Sequence, residues 1–376
     1  RNVMRKILKS PLTKRRWQNF KSNRRAFWSL WIFGAIFILC LFAELIANDK
    51  PLLIKFKSEL HSPAFKYYSE YYFGGDFKTE AIYQEMETQC LIKTGGLEIC
   101  LDEPDETLNS LYNGSLTSSD GQITKGWMLW APIPYSFDTI NYDIDRAPSA
   151  PDRNHLLGTD DQTRDVIARI IYGFRISTIF GLIVVLFSSI IGIAAGAVMG
   201  YFGGWVDLIL QRLVEIWDGM PMLYVIIIMA ALFNINFPIL VFLVILFSWT
   251  GLLGVVRAEF LRARNFEYVR AARAMGVSDI KIMFRHLLPN AMVATLTFLP
   301  FTITASIGTL TTLDFLGYGL PPSYPSLGEL ALQAKNNLQA PWLAFSAFIT
   351  LAMMLSLLVF VFEGIRDAFD PRKTFK

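Results

Sequence analysis

Charge is scarce in this chain: Asp, Glu, Lys and Arg make up 18% of its 376 residues, whereas 53% are apolar. Soluble domains carry charge on roughly a quarter of their residues, so an ordinary water-soluble globule is excluded. Acidic residues are missing from the first 25 positions, which hold ten basic ones. Histidine occurs only as His61, His155 and His286. The distribution of Lys and Arg puts the first two outside a membrane and the third inside, so they cannot share a metal site, and no metal is expected. A Gly-x-x-x-x-Gly-Lys-Ser/Thr phosphate loop is also missing. No ATP, Mg2+ or other cofactor is therefore expected on this chain. No catalytic constellation emerges along it, and nothing points to a nucleic-acid partner.

What the chain has instead is apolar residues in blocks. Six blocks can cross about 30 Å of hydrocarbon: residues 26–47, 176–200, 208–233, 238–256, 291–313 and 342–362. The third opens amphipathically. Nothing at that depth is strand-like, so helices must satisfy the backbone. The expected fold class is an all-α polytopic membrane protein with six transmembrane helices, embedded in lipid.

Lys and Arg set the orientation. Residues 1–25 read as a basic cytoplasmic tail, and with a whole-chain charge of +3 everything after Arg25 sums to about −7. Six crossings return residues 365–376 to the cytoplasm as a second tail. The segment 257–285 is also inside, and it is basic: Arg257, Arg262, Arg264, Arg270, Arg273, Lys281 and Arg285 outnumber Glu259, Glu267 and Asp279. Three segments thus agree on one topology, with both termini inside. A cleavable signal peptide is the weaker reading of the N-terminus, because the first block is long and lacks an Ala-x-Ala end.

Residues 48–155 form an outer insertion, expected to be a small irregular subdomain between the first two spans. Cys40 lies in the first span and reads as an inert apolar residue. Cys90 and Cys100 flank two short β-prone runs about Gly95 and Gly96, which suggests a hairpin. In an oxidising compartment a disulfide across it is plausible, with two free thiols as the alternative. The cluster Tyr67, Tyr68, Tyr71, Tyr72 and Phe73 is either the subdomain's own core or a docking surface for an external protein. Residues 156–175 read as an amphipathic helix lying in the outer interface, with Thr159 or Asp160 as N-cap. Val166, Ile167, Ile170, Ile171 and Phe174 share its apolar face.

The third block opens with Asp207, Gln211, Glu215 and Asp218 at spacings of four, four and three. On a helix they form one stripe near the cytoplasmic side, with Arg212 beside it. Intramembrane carboxylates face a cavity or one another. A gate or pathway lining and an ion-pair network between helices are equally open readings. Gly219 and Pro221 then break or kink the helix.

Residues 267–290 are polar and helix-forming, yet lie between two apolar blocks. Glu267 to Met275 reads as one helix, Gly276 as a reversal, Ser278 as the cap of a second helix from Asp279, and Pro289 as a first-turn residue of the fifth span. Ala271, Ala272 and Ala274 leave room for a close partner. With Leu288 preceding Pro289, this pattern closely resembles the EAA loop of permeases in ATP-binding-cassette importers. His286 suits the peptide-permease branch of that family. Two further segments resemble the dipeptide/oligopeptide permeases. Residues 158–165 follow Gly-Thr-Asp-x-x-Gly-Arg-Asp with Thr163 in place of glycine. Residues 315–322, which read Phe-Leu-Gly-Tyr-Gly-Leu-Pro-Pro, look like the family's glycine- and proline-rich outer loop, with Asp314 where serine is common.

The resemblance covers roughly 155–371 plus the first span and basic tail, and the outer insertion looks most like the Yej branch, associated with peptides and peptide-like antibiotics. It implies a type I importer permease fold with a core over 176–364, a coupling loop at 258–290 and an outer loop at 314–340. The implied coupling residues are Glu267, Ala271, Ala272, Gly276, Leu288 and Pro289. The implied partners are a second permease, ATPase subunits that carry ATP and Mg2+, a periplasmic binding protein and a peptide-like substrate, at a bacterial inner membrane. An ATP-independent secondary transporter is the alternative, supported by the acidic stripe alone. A membrane-anchored receptor is a third reading, resting on the outer insertion.

Overall fold

The computed structural model describes residues 11–113 and 125–369. In chain order its elements begin with helices α1 (Pro11–Ser22), α2 (Arg24–Leu41) and α3 (Ala43–Ile46), strands β1 (Leu53–Phe56) and β2 (Glu59–His61), helices α4 (Glu70–Phe73), α5 (Met86–Thr94), α6 (Ile99–Asp102) and α7 (Pro104–Tyr112), and strand β3 (Trp127–Leu129). Then come α8 (Val166–Phe202), α9 (Gly204–Asp218), α10 (Met222–Leu232), α11 (Phe237–Ser248), α12 (Thr250–Ala263), α13 (Glu267–Ala274), α14 (Asp279–Ile282), a π-helical turn (Met283–Leu287), α15 (Leu288–Phe315), α16 (Leu327–Asn336) and α17 (Pro341–Phe369). The chain divides into two compact units, Arg1–Phe37 with Gly173–Asn336 and Ala344–Lys376, and Ile38–Tyr172 with Asn337–Leu343.

Among the described residues, five helical stretches are long and apolar enough to cross a membrane, and α9 with α10 makes a sixth if the bent pair is one span. That pair bends by 64° at Gly219–Pro221, where proline lacks a backbone donor. Asn236 starts α11: its side-chain oxygen accepts from the Ile239 N–H at 3.0 Å, and Pro238 sits in the first turn. Phe180, Val184, Ile226, Leu240, Val244 and Leu310 bring α8, α10, α11 and α15 into one apolar core.

The second contact along α8 is made by glycine. A Cβ on Gly196 would lie 2.7 Å from the Leu253 carbonyl oxygen, one on Gly200 would lie 2.5 Å from that of Arg257, and one on Gly192 would strike that of Trp249. Three glycines four residues apart therefore meet three carbonyls four residues apart, so α8 and the Trp249–Arg257 stretch touch backbone to backbone.

The segment 156–175 differs from expectation. It is not a separate interfacial helix; α8 runs 37 residues without interruption from Val166. Nothing between Val166 and Gly200 stops a helix, since no proline intervenes and a lone glycine such as Gly173 costs only about 1 kcal/mol. The cap is neither Thr159 nor Asp160. Asp165 accepts from the Ala168 N–H at 2.8 Å, while Asp160 accepts from the N–H groups of Gln162 and Arg164 and from the Arg164 guanidinium at 2.7 Å. Thr163, in glycine's usual place, keeps the left-handed backbone at φ +60°. Its hydroxyl accepts from the Asn141 N–H and donates to the Gln162 carbonyl.

In the second unit an antiparallel sheet of order β2-β1-β3 pairs Ile54 with His61 and Leu53 with Leu129. Cys90 and Cys100 form a disulfide, but no hairpin carries it. Their segments are helices, because Thr88, Cys90, Leu91, Ile92 and Thr94 bury one helical face and Gly95, at φ +87°, ends α5 in the left-handed region. The cystine joins Ile54, Phe56, Phe73 and Tyr83 in the subdomain's core. The aromatic cluster divides between its two readings: Phe73 is fully buried, whereas Tyr67, Tyr71 and Tyr72 are exposed.

Candidate functional site

The loop after α12 is built as two limbs about one glycine. At the end of α13 the Val277 N–H bonds the Ala272 carbonyl at 3.1 Å and the Gly276 N–H bonds that of Arg273 at 3.0 Å. These two bonds close a Schellman turn, which requires a left-handed residue between them. Gly276 supplies it at φ +77°, and no atom lies within 4 Å of where its Cβ would stand. The glycine is needed for its torsion and not for space. Ser278 occupies the cap position of α14 but makes no side-chain cap bond; the Ile282 N–H bonds its carbonyl instead.

From Asp279 the second limb does not end before the fifth membrane helix. It passes through the π-helical turn straight into α15, with Pro289 in the first turn of α15. Proline removes one donor and crowds the carbonyl four residues back. A π turn just upstream, with its wider ring of bonds, accommodates such a defect. Movement imposed on α14 is therefore delivered to a helix that reaches Phe315.

The loop is anchored to its neighbours on one side and bare on the other. Val269, Ala272, Ile282 and Leu287 pack with Tyr201, Val256 and Phe260 from α8 and α12. Ala272, expected to leave room for a partner, is thus internal packing, while Ala271 and Ala274 are exposed. The Tyr201 hydroxyl donates to Asp279, and the Arg273 guanidinium lies 5.2 Å from the Tyr201 ring. Glu267 is exposed. Sequence reasoning missed the outer face, where Met275, Ile280 and Phe284 are 75%, 70% and 66% exposed. Apolar residues in the midst of a basic loop were the available signal. A cleft of about 500 Å³ beside the reversal is lined by Tyr201, Arg264, Arg273 and Gly276 to Asp279.

The acidic stripe does not act as one body. Asp207 is buried and takes a forked pair of bonds from Arg257, Nε to Oδ1 at 2.5 Å and Nη2 to Oδ2 at 2.7 Å, which clamps α9 to α12. Gln211 and Arg212 both turn to Glu215 on their own helix, at 3.2 and 2.5 Å. Glu215 and Asp218 are exposed. Of the described bonds among these four residues, those of Asp207 reach another helix, so the network reading suits Asp207.

At the other end of α15, Asp314 holds the loop that leads to α16. It accepts from the Leu320 N–H at 2.7 Å and the Ser326 hydroxyl at 2.5 Å. Ser326 in turn accepts from the N–H groups of Gly328 and Glu329, capping α16. Both oxygens of a buried carboxylate are thus used to close a turn through Gly317, at φ +79°.

The geometry can be set beside known proteins. Residues 192–375 match the family described as the binding-protein-dependent transport system inner membrane component, and residues 10–63 match the N-terminal membrane domain of oligopeptide transport permease C. The chain is 51% identical to the peptidoglycan transport system permease protein YejE of Agrobacterium fabrum, over 98% of this chain and 95% of that one. It is 50% identical to the inner membrane ABC transporter permease protein YejE of Escherichia coli, over 97% and 98%. The dipeptide transport system permease protein DppC of Bacillus subtilis is 34% identical over 59% of this chain and 70% of its own. Among solved structures, a chain of the inward-facing MetNI methionine transporter aligns with a TM-score of 0.47 and 16% identity, over 54% of this chain and 96% of that one.

Proposed function

The chain belongs to the inner-membrane permeases of binding-protein-dependent ATP-binding-cassette importers for peptides, and from that membership we propose how it works and with what. It pairs with a second permease, and peptides or peptide-like compounds cross between the two. Cytoplasmic ATPase subunits bind ATP and Mg2+, and ATP binding closes them. A periplasmic binding protein delivers the substrate at the periplasmic face. Both termini and the 267–290 loop face the cytoplasm.

The single observation that carries the coupling role is the continuity of the loop's second limb with α15. A partner that grips the exposed Met275, Ile280 and Phe284 moves α14, and the membrane helix moves with it. The Gly276 reversal fixes the angle of the first limb, and Val269 and Ala272 hold that limb to α8 and α12. An alternation between inward-open and outward-open states then follows from rigid helices rather than from a flexible linker. An ATP-independent transporter has no use for such a limb, and Asp207, the one buried carboxylate of the stripe, is occupied by Arg257.

Copurification tests this reading. Affinity-tagged protein expressed with its neighbouring transport subunits is expected to retain an ATPase in about stoichiometric amount. Ile280→Asp with Phe284→Asp changes exposed side chains and is expected to release the ATPase while the second permease stays bound. Full ATPase retention by that variant, or no ATPase with the wild type, would count against the coupling assignment.

A further inference from the structure

We propose that the cytoplasmic end of the first and last membrane helices binds one anionic phospholipid, with its acyl chain in a groove formed by α1, α2 and α17 and its headgroup against cations of α1. The groove has a volume of about 470 Å³. Its walls are Trp17 and Phe20 from α1, Leu30 from α2, and Val361, Ile365 and Phe369 from α17. Nothing polar lines it except Arg16, so the occupant must present hydrocarbon. Phe20 and Ala26 meet Gly364, where a Cβ on the glycine would strike the Ala26 methyl.

Charge identifies the other end of the occupant. Residues 11–25 hold Lys14, Arg15, Arg16, Lys21, Arg24 and Arg25 and no Asp or Glu. Two of these cations stand over aromatic walls of the groove: the Arg16 guanidinium lies 4.3 Å from the Phe369 ring centre and the Lys21 ammonium 5.4 Å from that of Trp17. On α17, Arg366 pairs with Asp367 at 3.0 Å, and Glu363 lines a neighbouring cleft with Arg24 and Arg25. Trp17 is 46% exposed, as suits a ring at the hydrocarbon–water boundary. A ligand with an apolar tail and a negative head satisfies both halves of this arrangement. A basic helix beside a membrane span recruits the anionic lipids of the cytoplasmic leaflet in the same way. A zwitterionic lipid would fill the groove without matching the net positive charge of α1.

The test uses the whole importer, released from bilayers of equal phosphatidylglycerol and phosphatidylethanolamine, washed in detergent and weighed by native mass spectrometry. One phosphatidylglycerol is expected to stay with each copy of this chain. Arg16→Gln with Lys21→Gln, both at exposed side chains, is expected to lower its retention by roughly fivefold per charge removed. Ile365→Trp fills the groove with all charges intact and is expected to abolish retention. Equal retention of the two lipids, or wild-type retention by the charge variant, would show ordinary boundary contact and overturn the proposal. Should Ile365→Trp fail to fold, the charge variant decides alone. Neither change touches the 267–290 loop, so ATPase copurification reports separately on the proposed function.

Discussion

Replacing Gly276 should uncouple transport from ATP hydrolysis without unfolding the protein, and the size of the effect follows from one torsion. The residue sits at φ +77° with open space where a side chain would go. A substitution there costs torsional strain and creates no clash. For alanine the left-handed conformation costs about 1–2 kcal/mol; a β-branched residue fares worse, while asparagine tolerates the region well. A penalty of about 1.4 kcal/mol lowers the population of the native reversal roughly tenfold relative to an alternative turn. It removes only a fraction of the roughly 5–15 kcal/mol that holds a protein folded. Substrate-stimulated ATPase activity of the reconstituted complex should therefore fall in the order Gly276→Asn, Gly276→Ala, Gly276→Val, with the thermal midpoint nearly constant. Wild-type stimulation in the valine variant, or asparagine as damaging as valine, would refute the torsional argument and point to a side-chain contact instead.

Gly196→Ala forces the α8 backbone away from the Leu253 carbonyl and should destabilise the protein by about 1–3 kcal/mol; Gly254→Ala, with nothing within 4 Å, should be neutral or slightly stabilising, and the two thermal midpoints give the contrast. Thr163→Gly relieves about 1–2 kcal/mol of strain but gives up the bond to the Asn141 N–H and adds backbone freedom to the unfolded chain, so its midpoint should scarcely move. Thr163→Val keeps the strain and loses the hydroxyl, and should be the less stable of the two by at least about 1 kcal/mol. Asp207→Asn leaves the Arg257 charge without its partner in a half-buried place; about 1–2 kcal/mol is expected, less than for a fully buried pair, and exchange of the two charges should restore part of it in melting experiments.

Membrane helices were legible where the signal was composition, because six apolar blocks leave the chain no other way to bury them. Their ends were legible less well. Residues 156–175 showed an amphipathic face, and periodicity alone cannot tell a helix that lies flat from one that continues into the next span. The 90–100 segment misled for a related reason. Its Ile and Leu residues suit a strand, and two adjacent glycines suit a hairpin, but the same glycines also end a helix in the left-handed region. Burial of Leu91, Ile92 and both cysteines in one core decided between them, and burial is a tertiary fact. In the loop, Gly276 and Pro289 were readable because each residue type restricts its own backbone. Asp207 was readable as costly but not as the partner of Arg257, fifty positions away. The glycines at 192, 196 and 200 were visible as a spacing, and their purpose required the carbonyls they meet.

These separate contacts have a common consequence for coupling. α12, with Trp249 just before it, is fixed to α8 by backbone contact at three glycines and to α9 by the Asp207–Arg257 fork. The first limb of the loop is fixed to the same two helices through Val269 and Ala272. The second limb packs on the same helices through Ile282 and Leu287 and the Tyr201–Asp279 bond, and it also continues without a break into α15. A force applied at Ile280 or Phe284 therefore reaches both α15 and the α8–α12 frame, and the Schellman turn at Gly276 sets the angle between the two limbs. Close packing transmits such a displacement instead of absorbing it. Loosening the frame at Gly196 and relaxing the turn at Gly276 should then have one functional result, ATP hydrolysis that no longer answers to substrate, reached through different losses: stability in the first case and torsion alone in the second.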